Sequence, residues 1–518
     1  MEAVDRAHKQ TVWLRVILMN DYKKWLKYLA SLSSATLISR ILGFVRELVF
    51  AMVFGASALF DGYITASRIP NMLRRLFAEG ALTQAFVPVL IQVRQQNDPA
   101  SLCRFQNAML TILLMVTLLI ALLFCVFPKA VISLYAYGFS EDDPRLAIAS
   151  GLLPILAFFL PLISMISFYA ALLNSHRHFF LAGLLPAISN MVLIIVAMNV
   201  TSDELGVWYL SWALIAGAMV QWLLVFFQTW RLFGLVCPTI NFRHPALKKV
   251  FKMLLAGIFG LSAVQISLFI DGNLASYLPS GSLSWLYYAE RLIYLPLGTV
   301  GVSLASVSLP LLSEAIAQKK SHDIQFQLHR SSHMVFLLGI PAAMALFFLA
   351  EPSFSGFFLR GAFTANDTLM SAHALRYFSL GLPFMMLIKL WVSVAYSYQH
   401  VKLTVWAALI AIFSNVLIVI VSMPYLDHGA IGLAVSISAF LQSAYLYLKL
   451  EKLTGMGLVD MKKLRVLIMP LFLLFLMIVG FKRMYFSHIL PNSLWLLITV
   501  FGSIGGYFLA YAWAEKRC

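Results

Sequence analysis

SLSSATLISRILGFVRELVFAMVFG (residues 31–55) and FDGYITASRIPNMLRRLFAEGALTQAFVPVL (60–90) read as membrane-spanning segments that carry charge where lipid would reject it. Arg40 and Arg46 interrupt the first, and Arg68, Arg74 and Arg75 the second. A sixth arginine, Arg291, sits in WLYYAERLIYLPLG (285–298). An arginine at mid-bilayer costs roughly 2.5–3.5 kcal/mol even on the lenient insertion scale, so several together cannot face lipid. They must line a water-filled cavity inside a helix bundle, and such a cavity attracts anions. The two stretches thus point to an all-α polytopic membrane protein that handles a negatively charged substrate.

Composition agrees. The 518 residues are 61% hydrophobic and 12% charged, with a mean hydropathy of +0.86, far from a soluble composition. A net charge of +16 would suggest nucleic acid in a soluble protein, but its placement around spans points to the membrane and to no nucleic-acid partner. Cys103, Cys125, Cys237 and Cys518 are scattered without a CxxC pair, which gives no metal site. No GxSxG, HExxH or Walker pattern occurs, so no catalytic residue and no cofactor are expected, and ATP is not the direct energy source. Residues 1–27 carry Arg6, Lys9, Arg15, Lys23, Lys24 and Lys27 without an apolar run long enough for a cleaved signal.

About 30 Å of hydrocarbon needs about 20 apolar residues per helix. Fourteen spans are expected: 27–54, 60–93, 107–127, 147–173, 179–199, 206–231, 250–276, 283–313, 334–350, 372–398, 403–422, 430–450, 464–484 and 493–514. Cations concentrate in alternate loops, most densely between Arg231 and Lys252 and between Lys449 and Arg465. The intervening loops hold Lys129, Arg145, Arg360, Lys482 and Arg483, together with Glu141, Asp142 and Asp143. By the positive-inside rule both termini are cytoplasmic, as an even number of spans requires.

The chain also repeats itself at an offset of about 223 residues. Val87-Pro88-Val89-Leu90 recurs as Leu309-Pro310-Leu311-Leu312, Leu160-Pro161 as Leu382-Pro383, and SNMVLIIVAM (189–198) as SNVLIVIVSM (414–423). Arg68 pairs with Arg291 at the same spacing. Six helices per copy make the copies parallel, which predicts two lobes with a site between them. The expected organisation is a cytoplasmic N-terminal extension (1–26), an N-lobe of helices 1–6 (27–231) and a cytoplasmic linker (232–249). A C-lobe of helices 7–12 (250–450) follows, then helices 13 and 14 with a cytoplasmic C-terminus (451–518).

SSATLISRILGFVREL, followed by FGAS, FDGY and RIPNMLRRLFAEGALTQAFVPVL, resembles the lipid II flippase (MurJ/MviN) family of bacteria, and SWLYYAERLIYLPLGTVGVSLASVSLPLLS (284–313) resembles its eighth helix. The likeness runs from about residue 26 to the end. It implies the multidrug/oligosaccharidyl-lipid/polysaccharide exporter fold: fourteen transmembrane helices, two parallel six-helix lobes around a central cationic cavity, and two C-terminal helices forming a lipid-facing groove. It also implies translocation of undecaprenyl-pyrophosphate-linked peptidoglycan precursor, lipid II, from the inner to the outer leaflet of the bacterial cytoplasmic membrane. Arg40 and Arg46 fall at the family's two first-helix arginines, Asp61 at the acidic residue opening the second helix, and Arg74 and Glu79 in its LRR-FAEG motif. Arg291 and Lys389 fall at the basic residues of helices eight and ten. Glu47 and Glu290 stand where related sequences carry aspartate.

Lipid II carries a pyrophosphate, and guanidinium forks suit phosphate oxygens. Arg40, Arg46, Asn71, Arg74, Ser284, Arg291 and Lys389 are the expected substrate-binding residues. Glu47, Asp61, Arg75, Glu79 and Glu290 are expected to gate or to form ion pairs. Arg40 and Arg46, six residues apart, can face one point only if Gly43 allows a bend. Glu47 lies on Arg40's face and either holds Arg40 or gates. Arg75 and Glu79 are i,i+4 neighbours suited to an intrahelical pair, which leaves Arg74 to the substrate. Asp61 either latches a gate or caps its own helix. Asn71 serves head-group sugars or backbone freed by Pro70.

A drug exporter would show acidic cavity residues, and a polytopic glycosyltransferase would need a catalytic acid with a substantial outer loop. The chain is therefore expected not to be an enzyme. A flippase for another polyprenyl-linked oligosaccharide remains the alternative. Expected partners are lipid II, membrane lipids and cell-wall synthesis proteins, with the chain acting as a monomer. Residues 1–18 precede the resemblance, and Met19 offers an alternative start. The apolar stretches 466–481 and 494–514 are expected to hold the isoprenoid tail.

Overall fold

The computed structural model describes residues 34–75, 80–96, 98–176, 178–239, 242–318, 320–485 and 492–515. Among these residues all regular structure is helical. In the first half, α1 covers 34–54, α2 Ala58–Arg74, α3 Gly80–Gln95, α4 Pro99–Val126, α5 Pro128–Tyr135, α6 Pro144–Ala157, α7 Phe159–Ser175, α8 Phe179–Ala197 and α9 Glu204–Phe233. The second half has α10 Pro245–Ser276, α11 Ser282–Pro296, a π-turn Leu297–Gly301, α12 Val302–Ala317, α13 Ser321–Phe348, α14 Ala350–Phe357, α15 Ala365–Ser397, α16 Val401–Leu426 and α17 Gly429–Thr454. α18 (Met461–Val466), α19 (Ile468–Tyr485) and α20 (Asn492–Glu515) close the chain.

Eleven helical stretches among the described residues are long and apolar enough to cross a membrane. Three expected spans are not among them: they correspond to α1, to α2 with α3, and to α10. Helix starts follow local chemistry. Asp98 and Asp143 cap α4 and α6 with their carboxylates, each before a proline that needs no N–H partner. Thr364 and Asp367 form a reciprocal capping box on α15.

The repeat is visible element by element. From α2 against α11, through α3, α4 and α5 against α12, α13 and α14, to α9 against α17, each helix of the second half starts about 222 residues after its counterpart. The uninterrupted α15 takes the place of α6 plus α7, which break at Phe158. α19 and α20 have no counterpart; they pack on α13 and α14 through Leu474, Ile478, Trp495, Leu496 and Tyr507.

The two halves close on each other at the end where α2, α6 and α11 begin. Phe54, Phe60 and Tyr288 stack in series, with centroids 5.8 and 5.6 Å apart, and Phe358 and Phe363 flank Tyr288. The Tyr288 hydroxyl donates to the Gly55 carbonyl at 3.1 Å, and Ala362 N–H donates to the Met52 carbonyl at 2.7 Å. This aromatic plug with paired backbone shuts that end of the bundle.

Candidate functional site

Below the plug lies a cavity of about 480 Å³ between α1, α2, α7, α8, α10 and α11. Arg46, Arg68, Arg74, Arg75 and Arg291 line it, against the carboxylates of Asp271 and Glu290. Cation outnumbers anion, and an apolar wall of Phe159, Ile163, Ile166 and Leu185 faces the arginines. An anion entering here finds guanidinium forks with part of their solvent already removed, which strengthens each contact.

The arginines are held by a network that crosses between the halves. Arg46 pairs with Glu47 and donates to Asn190 Oδ1 at 2.9 Å. Asn190 in turn donates to the Ser39 carbonyl at 3.2 Å. Glu47, only 2% exposed, also faces Arg291 Nε at 3.4 Å. Arg291 lies over the Tyr287 ring at 4.3 Å. Arg68 meets Glu290 at 3.4 Å. Two ion pairs thus join α1 and α2 to α11. A buried carboxylate is tolerable here because cations from both halves share it.

Several expected residues come together and others do not. Arg46, Asn71, Arg74, Arg75, Glu290 and Arg291 line the cavity. Asn71 donates its amide to the Ser67 carbonyl at 2.9 Å, one turn back. Arg40 stands apart: α1 runs unbroken through Gly43, so Arg40 and Arg46 diverge. Arg40 is exposed and donates to the Gly298 carbonyl at 3.2 Å, in the π-turn after Pro296. Glu47 therefore serves Arg46 and Arg291, and its expected hold on Arg40 is not seen. Lys389 is exposed on α15 and feels the charge of Arg75, but it does not line the cavity. Glu79, with its expected pair to Arg75, lies outside the described residues.

Asp61 departs from the helix-cap reading. Ser57 caps α2, its hydroxyl accepting from Phe60 N–H at 3.3 Å. Asp61 is fully buried and caps α11 of the other half instead. Its carboxylate accepts from Gly281 N–H at 2.6 Å, Ser284 N–H at 2.8 Å and the Ser284 hydroxyl at 2.6 Å. A carboxylate at a helix N-terminus satisfies free N–H groups and opposes the dipole favourably. Ser284, expected to bind substrate, is thus buried at the plug, away from the cavity. Asp61 and Ser284 are 223 positions apart, so they occupy equivalent places in the two repeats. Unlike residues at this shared point make a hydrogen bond where two aspartates would repel.

Sequence reasoning missed Asp271, Asn190 and Arg145. Asp271 breaks the apolar run of SLFIDGNLAS in α10 and faces Asn415 on α16. A carboxylate within a span was the signal available. The charge pattern puts Arg145 in a loop between spans, whereas it is 7% exposed at the start of α6.

Residues 50–502 match the family described as lipid II flippase MurJ. This chain belongs to that family. A probable lipid II flippase of Buchnera aphidicola subsp. Schizaphis graminum is 33% identical over 460 residues, 87% of this chain and 90% of that protein. One from Vibrio cholerae is 35% identical over 439 residues, 82% of each. A solved lipid II flippase MurJ in an inward closed conformation has a TM-score of 0.80 at 25% identity, covering 94% of this chain and 99% of that one. An inward-facing MATE multidrug transporter has a TM-score of 0.63 at 12% identity, a likeness of fold alone. Membership in the MurJ family makes the chain a multi-pass membrane transporter. Arg40, Arg46 and Glu47 precede the stretch matched to the family.

Proposed function

We propose that this chain carries lipid II from the inner to the outer leaflet of the bacterial cytoplasmic membrane by alternating access. The observation that supports it most directly is a cavity lined by five arginines, beneath a plug that joins both halves, in a member of the MurJ family. The pyrophosphate is held by Arg74, Arg75 and Arg291, with Arg46 and Arg68 behind them and Asn71 turned to the sugars. Arg40 and Lys389 meet the head group on its way in. An anion that draws Arg291 and Arg68 toward itself competes with Glu47 and Glu290, and so weakens the two ion pairs that join α11 to α1 and α2. Substrate binding thereby loosens the contact that a change of access must break.

In this reading the plugged end is the outer one, both termini are cytoplasmic, and the chain acts as a monomer among membrane lipids, without enzymatic activity. Cell-wall synthesis proteins would dock on its outer helices. The isoprenoid tail rides along α19 and α20, outside the duplicated core. Depleting the protein in its own cells and assaying the leaflet of lipid II tests the proposal: accumulation in the inner leaflet supports it. Unchanged lipid II with inner-leaflet accumulation of another polyprenyl-linked oligosaccharide would move the assignment to that substrate.

A further inference from the structure

Two charged groups of the first half, Asp61 on α2 and Arg145 on α6, both bond to one short stretch of the second half. Asp61 takes Gly281 and Ser284; Arg145 donates from Nη1 to the Leu278 carbonyl at 2.9 Å. The rest of the Arg145 guanidinium is engaged within the first half. Nε and Nη2 donate to Asp143 at 2.7–3.0 Å, and the group lies 4.4 Å over the Phe139 ring. Arg145 Nη1 stands 4.0 Å from Asp61 Oδ2, close enough for charge attraction but outside hydrogen-bond range.

The two helices that carry these groups, α2 and α6, pack closely on each other. Gly62 lets α2 approach α6 closely; a Cβ there would lie 2.7 Å from Ile148 Cγ2 and 3.4 Å from the Arg145 carbonyl. Any opening of the plug withdraws 278–284 from both residues at once. Asp61 then loses its three donors, and Arg145 loses the acceptor of Nη1 while keeping Asp143, so the unpaired buried charge, which is costly, is that of Asp61. The Arg145 Nη1 so released already stands beside it.

We propose that Arg145 is a positioning residue for transport: as the plug opens, its Nη1 exchanges the Leu278 carbonyl for the Asp61 carboxylate, and the resulting intra-half ion pair stabilises the opened state. The exchange rests on alternating access and not on the identity of the transported lipid, so it can fail while the lipid II assignment stands, and the reverse.

The test measures the plug directly. Spin labels at Asp142→Cys and Asn366→Cys, both exposed beside the plug on opposite halves, report its opening in the full chain with the native cysteines replaced by serine. Lipid nanodiscs without substrate make the reading independent of transport. Arg145→Gln should lower the long-distance population by about tenfold, the margin by which the ion pair with Asp61 that it removes from the opened state exceeds the bond to the Leu278 carbonyl that it removes from the closed one. In an Asp61→Asn background the same replacement should not lower it, because only the bond to Leu278, which belongs to the closed state, is then lost. Asp143→Asn keeps the arginine and releases it from its present partner, so it should raise the open population. An equal effect of Arg145→Gln in both backgrounds, or a fall in the open population on Asp143→Asn, would overturn the proposal by reducing Arg145 to a structural anchor.

Discussion

Arg291 shows how one residue serves both binding and assembly. Its guanidinium lies over Tyr287, reaches Glu47 on the other half and lines the cavity. Arg291→Ala removes a ligand and one of the two cations that face Glu47, so transport should be lost, by about a hundredfold or more, and the thermal unfolding midpoint should fall. Arg291→Lys keeps the charge but loses the forked geometry, so it should recover stability more than transport. Reconstituted flipping and an unfolding curve on the same preparations separate the two effects; equal recovery of both by lysine would count against bidentate recognition. Arg40, exposed and turned to the Gly298 carbonyl, should affect transport less than Arg291 when replaced by alanine.

At the scale of elements, the plug depends on backbone that only particular residues allow. Gly361 adopts a φ of +59°, and a side chain there would meet the Met52 carbonyl. The neighbouring Ala362 N–H donates to that same carbonyl. Gly361→Ala therefore carries a left-handed penalty of roughly 1–2 kcal/mol as well as the clash. It acts on a contact between halves, so it should open the plug and increase labelling of a cysteine placed at Tyr63 by a membrane-impermeant thiol reagent. Unchanged labelling would show that the plug is held elsewhere. The cross-half cap of α11 by Asp61 belongs to the same scale, since it makes the start of one repeat's helix depend on the other repeat.

For the whole molecule, α19 and α20 stand outside the duplication and present an apolar surface on one side only. Leu474, within the stretch expected to guide the tail, is 3% exposed and packs inward. Phe472, Phe501 and Ile504 are 58%, 69% and 46% exposed. Burial of a tail against them gains little relative to lipid, so guidance and not affinity is the expected contribution. Photo-crosslinkers at Phe501 and Ile504 should capture a labelled lipid II tail, and one at Leu474 should not. Crosslinks to proteins alone would assign this surface to docking.

How much was legible follows from what local spacing encodes. Six arginines inside apolar runs were enough to read an all-helical membrane protein with a cationic cavity from their cost in lipid, and five of the six line that cavity, while Arg40 turns to the Gly298 carbonyl. The repeat was legible because prolines and SN-type motifs recur in order, and every helix pair from α2 and α11 onward obeys it. The partners of those charges were not legible. Spacing along a helix says that Arg40 and Arg46 diverge, but not which one meets the cavity. Nor does it show that Glu47 is shared with Arg291, that Asp61 caps α11 from across the molecule, or that Arg145, at the start of α6, stands 4.0 Å from it. Those pairings arise where repeat-equivalent helices meet face to face. That contact is set by the packing of two halves more than 200 residues apart, and helical periodicity carries no information about it.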